Sequence, residues 1–138
     1  MSHYTTLQKL MSSFELGLFF NLSADDSKLP NGIGRLLDVD EHGFCWFLFH
    51  YPPEEALGFE QEFPARFRLY EKGRDCYVEI SGRAERLSDI ADWAKCAKIS
   101  YGMAKALRYH GLVLRMKFTQ AVVYELTRNS KRNKIQRR

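Results

Sequence analysis

The chain has 138 residues, is 45% hydrophobic and 14% aromatic, and carries a formal net charge of +4. Its length and apolar content suit one domain with one core and exclude a wholly disordered protein. The charge is unevenly placed: six of the 21 basic residues and no acidic ones fall in 128–138, leaving 15 basic against 17 acidic residues before them. The body is slightly acidic, so the overall charge is a poor argument for a nucleic-acid partner.

Taken in order, Tyr4 to Phe14 reads as a short amphipathic helix, with Leu7, Leu10, Met11 and Phe14 at spacings of three and four. Leu16 to Leu22 is an aromatic-rich strand candidate, and the Asp-, Ser-, Asn- and Pro-bearing stretch 23–34 is a loop. A second strand, Ile33 to Val39, runs into Asp40-Glu-His-Gly43, a hairpin turn that Gly43 closes with positive φ. Phe44 to Phe49 is apolar throughout, which predicts a strand covered on both faces. Pro52 and Pro53 end it and open a short acidic helix over Glu54–Glu60.

Phe63–Glu71 alternates apolar and polar residues, Lys72-Gly-Arg-Asp75 is a second hairpin turn, and Cys76 to Glu85 alternates again. Ser88 or Asp89 can cap a long helix over Ile90–His110, with Ile90, Trp93, Ala94, Ala97, Tyr101 and Ala104 as its apolar stripe and Gly111 as its stop. A last strand spans Leu112 to Leu126. The predicted fold is mainly β: a six-stranded antiparallel barrel with a short N-terminal helix and one long helix before the last strand. The expected organisation is one domain, 1–127, followed by a basic, flexible, solvated tail, 128–138.

Cys45, Cys76 and Cys96 form no close pair, which argues against a disulfide framework and for small hydrophobes in a reducing compartment. No apolar run reaches the roughly 18 residues of a membrane helix, and no basic-then-apolar leader opens the chain, so no membrane association and a cytoplasmic location are expected. The four histidines are scattered, and no metal site is assigned.

Two stretches carry a family resemblance. Glu79-Ile-Ser-Gly-Arg-Ala-Glu-Arg-Leu-Ser-Asp89, after a hairpin and before a helix, resembles the long strand of pyridoxamine 5′-phosphate oxidase-like flavoproteins, including the short general-stress-protein-like members. Gly32-Ile-Gly-Arg35, the Asp38–Gly43 turn and Phe44–Phe49 are similar to that family's arginine-bearing strand, turn and following strand. The resemblance implies a split β-barrel that holds FMN at a homodimer interface, and an FMN-dependent oxidoreductase acting on a small molecule. It assigns the cofactor phosphate to Arg35, whose guanidinium can grip it with a bidentate fork, with Leu36, His50 and Tyr51 as further cofactor contacts.

The chain departs from the family after the third strand. His50-Tyr51-Pro-Pro-Glu-Glu55 has two carboxylates where the family carries cations, and it also ends before the family's C-terminal substrate segment. True pyridoxamine phosphate oxidation is therefore not expected. Two alternatives stay open: a barrel that has lost flavin and serves as a binding module, and a nucleic-acid contact through the basic tail. The tail has no aromatic for base stacking, which ranks that contact last. Trp46, Phe47 and Phe49 are candidates either for subunit association or for the barrel interior.

Overall fold

In the structure, a computed structural model, residues 3–137 are described apart from 27, 52, 57, 88–89, 94, 97, 101, 103–110 and 127–131. Alternating apolar residues produce a continuous run of antiparallel strands: β1 Leu16–Asn21, β2 Gly32–Val39, β3 Phe44–Phe49, β4 Glu62–Leu69, β5 Cys76–Leu87 and β6 Leu112–Leu126. β1 pairs with β2 and β4, β5 pairs with β4 and β6, and β3 pairs with β2 and β6. The ring therefore closes into a six-stranded antiparallel barrel, as the alternation predicts. Both hairpin turns also form as read, with Gly43 at φ 86° and Gly73 at φ 89°.

The barrel interior is filled by large side chains that face inward at every second position. Phe19, Phe47, Phe63, Phe67, Leu69, Ile80 and Leu114 are buried there. Phe47 and Phe67 stack with ring centres 3.7 Å apart, while Phe19 meets Phe49 and Phe63 edge-on at 5.4 Å and 5.9 Å. Each such ring removed from water contributes about 1.5–3 kcal/mol. The N-terminal helix α1, His3–Ser12, closes one end by burying Leu7 and Met11, with Phe14 just beyond it.

A second, smaller cluster lies outside the barrel wall. Trp46 and Leu48 from β3, Leu87 from β5 and Val113 from β6 pack under Trp93, Cys96 and Ile99. β3 is thus apolar on both faces because it is covered on both. Its neighbours Cys45, Phe47 and Phe49 fill the barrel, so the aromatics of this strand belong to the core and not to a subunit interface.

Three expectations are corrected. The segment expected as one long helix from Ile90 begins as α3, Ile90–Trp93, while Lys95, Cys96 and Lys98 lie in turns or a bend and Ile99 and Ser100 are not helical; 94, 97, 101 and 103–110 lie outside the described residues. The backbone bonds here run back three residues, Lys95 to Asp92, Cys96 to Trp93 and Ile99 to Cys96. A three-residue winding aligns Trp93, Cys96 and Ile99 on one buried edge, and the Trp93 indole donates to the Leu87 carbonyl at 2.7 Å. That burial overrides the 3.6-residue pattern read from the sequence. The acidic helix is also shorter than expected: α2 is Pro53–Ala56, and the chain turns at Gly58.

The third correction concerns the basic tail. Arg132–Arg137 forms a further strand, β7, antiparallel to Ala121–Leu126. The reason lies in the length of β6. Its first half pairs with β3 as far as Lys117, but its second half runs past the end of β3 and would leave an open edge. β7 covers that edge and satisfies its backbone groups. Among the described residues no helix is long and apolar enough to cross a membrane.

Candidate functional site

The β2–β3 hairpin positions the site. Asp40 ties the turn: its carboxylate accepts from the backbone N–H groups of His42 (2.8 Å) and Phe44 (3.0 Å) and from the Trp46 indole (3.1 Å). Just before it, the pairing of β2 with β3 slips by one residue between Leu36 and Asp38. Such a bulge re-aims the side chains around it. Leu36 packs on the barrel core, Leu37 packs on the outer tryptophan cluster, and Asp38 is left half-buried between them.

Beside this bulge lies a cleft of about 630 Å³. One wall is the β2 segment Leu36–Val39; the others are the polar side of α1, with Gln8, Lys9, Ser12 and Ser13, and Lys98 from the turns after α3. α1 is held against the strand by the Gln8 amide, which donates to the Val39 carbonyl at 2.6 Å. Lys98 is placed by its buried neighbours Cys96 and Ile99. Burial raises the Asp38 carboxyl above its ordinary range, an effect that Asp40 adds to and that Lys98 and the Val39 N–H oppose.

Arg66, Arg68, Arg74, Arg83, Arg115 and Lys95 each pair with a carboxylate. Among the described residues, Lys9, Lys98 and Arg35 have no such pair, nor does Asp38. A cleft of this volume with a few convergent, unpaired polar groups has the general form of a small-molecule site.

The residues expected to share one cofactor site are distributed over three places. Leu36 lines the cleft. Arg35 is exposed on β2, opposite Leu16 of β1 and Leu48 of β3. His50 is exposed and Tyr51 half-buried, and both line a separate cavity of about 130 Å³ with Asn31, Ile33, Phe49 and Leu112. Glu55, exposed on α2, lines neither space; of Glu54 only the backbone is described. Cys45 and Cys96 are buried, and burial pushes both thiols up, away from thiolate reactivity.

Gln8, Lys9, Ser12, Asp38 and Lys98 are absent from the sequence-derived set. Lys98 falls within the segment expected as a helix over Ile90–His110, outside its apolar stripe, where a solvated side chain is the ordinary expectation. Asp38 was visible only as a turn-side residue. Nothing in a single sequence brings positions 8–13, 38 and 98 together.

The rest of the molecule offers one further surface. The exposed large hydrophobic residues of the described chain, Leu16, Leu18, Leu22, Ile33 and Tyr70, gather on β1 and the adjoining ends of β2 and β4. Leu18 sits opposite Ile33, which is 62% exposed. On the inner side of β1, Gly17 and Phe19 are buried, so this strand is apolar on both faces while only one is covered.

No protein-family model matches the chain, and no curated protein matches it in sequence. Solved structures do match in shape. A general stress protein 26-related protein of the pyridoxinephosphate oxidase family from Clostridium acetobutylicum superposes with a TM-score of 0.62 at 12% identity, over 96% of this chain and 92% of that one. The general stress FMN/FAD binding protein of Xanthomonas citri gives 0.59 at 17% identity, over 88% and 89%. A pyridoxamine 5′-phosphate oxidase-related, FMN binding protein of Nostoc punctiforme gives 0.58 at 8% identity, over 100% and 98%. The chain therefore has the split-barrel fold of the pyridoxamine 5′-phosphate oxidase-related and general stress flavoproteins.

Proposed function

We propose that this chain is a flavin-binding split-barrel protein, with FMN lying against β2 and serving an oxidoreductase activity. The observation that carries the reading is the cleft along Leu36–Val39, lined by Lys9 and Lys98 and lying next in sequence to Arg35, three cations with no ion pair within 4 Å among the described residues. Its volume falls within the range of about 300–1,000 Å³ typical of cofactor and ligand sites. The residues fit the group: Leu36 and Leu37 offer an apolar wall for the ring, and the cations answer the phosphate. Glu55, one of the two carboxylates that stand where the family has cations, does not line this cleft. Two of the structural neighbours are described as FMN- or FMN/FAD-binding proteins, which supports the same reading. A flavin bound here supplies the electron-transfer chemistry; the chain supplies its placement, the local charge and shielding from water.

The test is direct. Purified protein carries a flavin absorption band or acquires one when FMN is added, and FMN raises its melting temperature. Arg35→Ala weakens FMN at least about tenfold, the loss of one charge-assisted contact. Colourless protein with no thermal response to FMN overturns the proposal and leaves a barrel that acts as a binding module without cofactor.

We also propose that the chain is a homodimer, joined through the face of Leu16, Leu18 and Ile33. An apolar strand face of this kind, bordered by Arg35, Arg66 and Arg68, has the composition of an interface core with a polar rim. By register Arg35 lies directly beside Leu16, so the phosphate ligand and the interface are neighbours. Light scattering on the full chain gives twice the 16.2 kDa monomer mass, and Leu18→Glu with Ile33→Asp reduces it to one. A monomeric parent protein refutes the dimer.

A further inference from the structure

Asn21 and Asn31 meet where the loop between β1 and β2 begins and ends, and the fold treats them in opposite ways. Asn21 is buried and engaged: its side-chain amide donates to the Leu29 carbonyl at 2.9 Å, and its Oδ1 accepts from the Ser23 N–H at 2.9 Å. Asn31 is exposed and precedes Gly32, the one glycine in the sequence that follows an asparagine. In an Asn–Gly pair the glycine nitrogen can attack the asparagine side-chain carbonyl, because no Cβ hinders its approach.

The local structure favours that attack in three ways. The Asn21 N–H donates to Asn31 Oδ1 at 2.8 Å, which puts a donor on the oxygen that takes up negative charge. A Cβ at Gly32 would meet nothing within 4 Å, so the space around a closing ring is open. Gly32 is the first residue of β2, and its pair with Phe19 is the last of the β1–β2 ladder, so fraying of one pair frees its nitrogen.

We propose that Asn31–Gly32 is a self-modifying site: the folded chain converts Asn31 to aspartate and isoaspartate, and so writes a carboxylate into the rim of the cavity that Asn31 shares with His50 and Tyr51. The only co-reactant is water. The Gly32 nitrogen bonds to Asn31 Cγ, the Cγ–Nδ2 bond breaks, and the proton from Gly32 leaves with the amide nitrogen as ammonia, giving a cyclic imide. Water then adds to one of the two imide carbonyls, and cleavage of that C–N bond yields either the ordinary aspartyl link or an isoaspartyl link that runs through Cγ. The isoaspartyl form lengthens the main chain by one carbon just before β2, the strand on which Ile33 and Arg35 are exposed. Neither flavin binding nor dimer formation is assumed.

The experiment incubates the full-length protein without denaturant at mildly alkaline pH, with circular dichroism to confirm that it stays folded. Tryptic peptides are followed by mass spectrometry, and isoaspartate is counted by labelling with isoaspartate methyltransferase. Cleavage after Lys28 separates the two asparagines. The Asn31 peptide exchanges its amide for an acid and takes up label severalfold faster than the Asn21 peptide. Gly32→Ala, which the open space accommodates, slows the conversion severalfold, and Asn31→Gln abolishes both signals. An Asn31 peptide that stays an amide in the folded protein overturns the proposal, as does conversion that appears only once urea unfolds the chain. An unchanged rate in Gly32→Ala overturns the attack by the glycine nitrogen.

Discussion

The two glycines of Gly32-Ile-Gly-Arg35 lie two residues apart on the same strand, yet the same substitution has opposite consequences at each. A methyl group on Gly34 would meet the Phe49 ring at 2.5, 2.8 and 3.0 Å, whereas one on Gly32 would meet nothing within 4 Å. Phe49 cannot simply swing aside. It is 93% buried and packs against Phe19 at 5.4 Å and Phe67 at 6.1 Å, so its displacement pushes on the aromatic centre of the barrel. Overpacking of a core costs about 1–3 kcal/mol, and Gly34→Ala falls toward the upper end because the obstacle is a rigid ring. Gly32→Ala gains about 0.4–1 kcal/mol, since alanine narrows the unfolded ensemble without a clash.

The two variants therefore differ by about 3–4 kcal/mol. With an m-value of about 1–3 kcal/mol per molar urea, their unfolding midpoints separate by about 1 M or more. Equilibrium urea unfolding followed by tryptophan fluorescence measures this directly. At one protein concentration the two midpoints compare directly, and both tryptophans, Trp46 and Trp93, are buried. Equal midpoints for the two variants refute the inward direction of Gly34, and with it the strand register that places Arg35 on the outer face.

Asp40→Ala removes the acceptor of three hydrogen bonds in the β2–β3 turn and costs about 2–4 kcal/mol in thermal or urea unfolding; a loss below a few tenths refutes its role as the tie of the hairpin. Asp38 gives a pH signature. Its folded carboxyl is raised by burial, so the folded state holds the proton more tightly than the unfolded one, and stability falls as pH rises from the ordinary carboxylate range through the raised value. Asp38→Asn therefore stabilises the protein at neutral pH, and this advantage shrinks as the pH drops through the raised value toward the ordinary carboxylate range, below which it is gone; a pH-independent difference contradicts it. Truncation after residue 127 strips β7 from β6, and amide exchange in Ala121–Leu126 accelerates while the barrel amides of Phe44–Phe49 stay protected. Unchanged protection at 121–126 would show that β7 does not cover this edge.

The barrel was legible in the sequence because its signals are local. Alternation at Phe63–Leu69 and Cys76–Glu85, glycine at two hairpin turns and the doubly apolar Phe44–Phe49 each involve a few adjacent residues and survive folding unchanged. The misread segments are those where a distant partner decides. Periodicity in 90–110 argued for a regular helix, but Trp93, Cys96 and Ile99 answer to the surface made by Trp46, Leu48 and Val113, which wants a three-residue repeat. The basic terminus reads as solvated until the length of β6 leaves an edge for it to pair with.

The candidate site shows the same division more sharply. Arg35 and Leu36 were reachable from the strand that carries them. The two cations that line the cleft were not, because neither lies near that strand in the chain. They come from α1, where Lys9 is the polar side of a helix whose other side plugs the barrel, and from Lys98, anchored by the outer tryptophan cluster. Both positions follow from hydrophobic packing: burying Leu7 and Met11 turns Lys9 into the cleft, and burying Cys96 and Ile99 presents Lys98 across from it. The net charge of +4 is thus uninformative for a physical reason. Binding depends on which few cations lack a carboxylate and face a cavity, and here those are set by the apolar residues next to them.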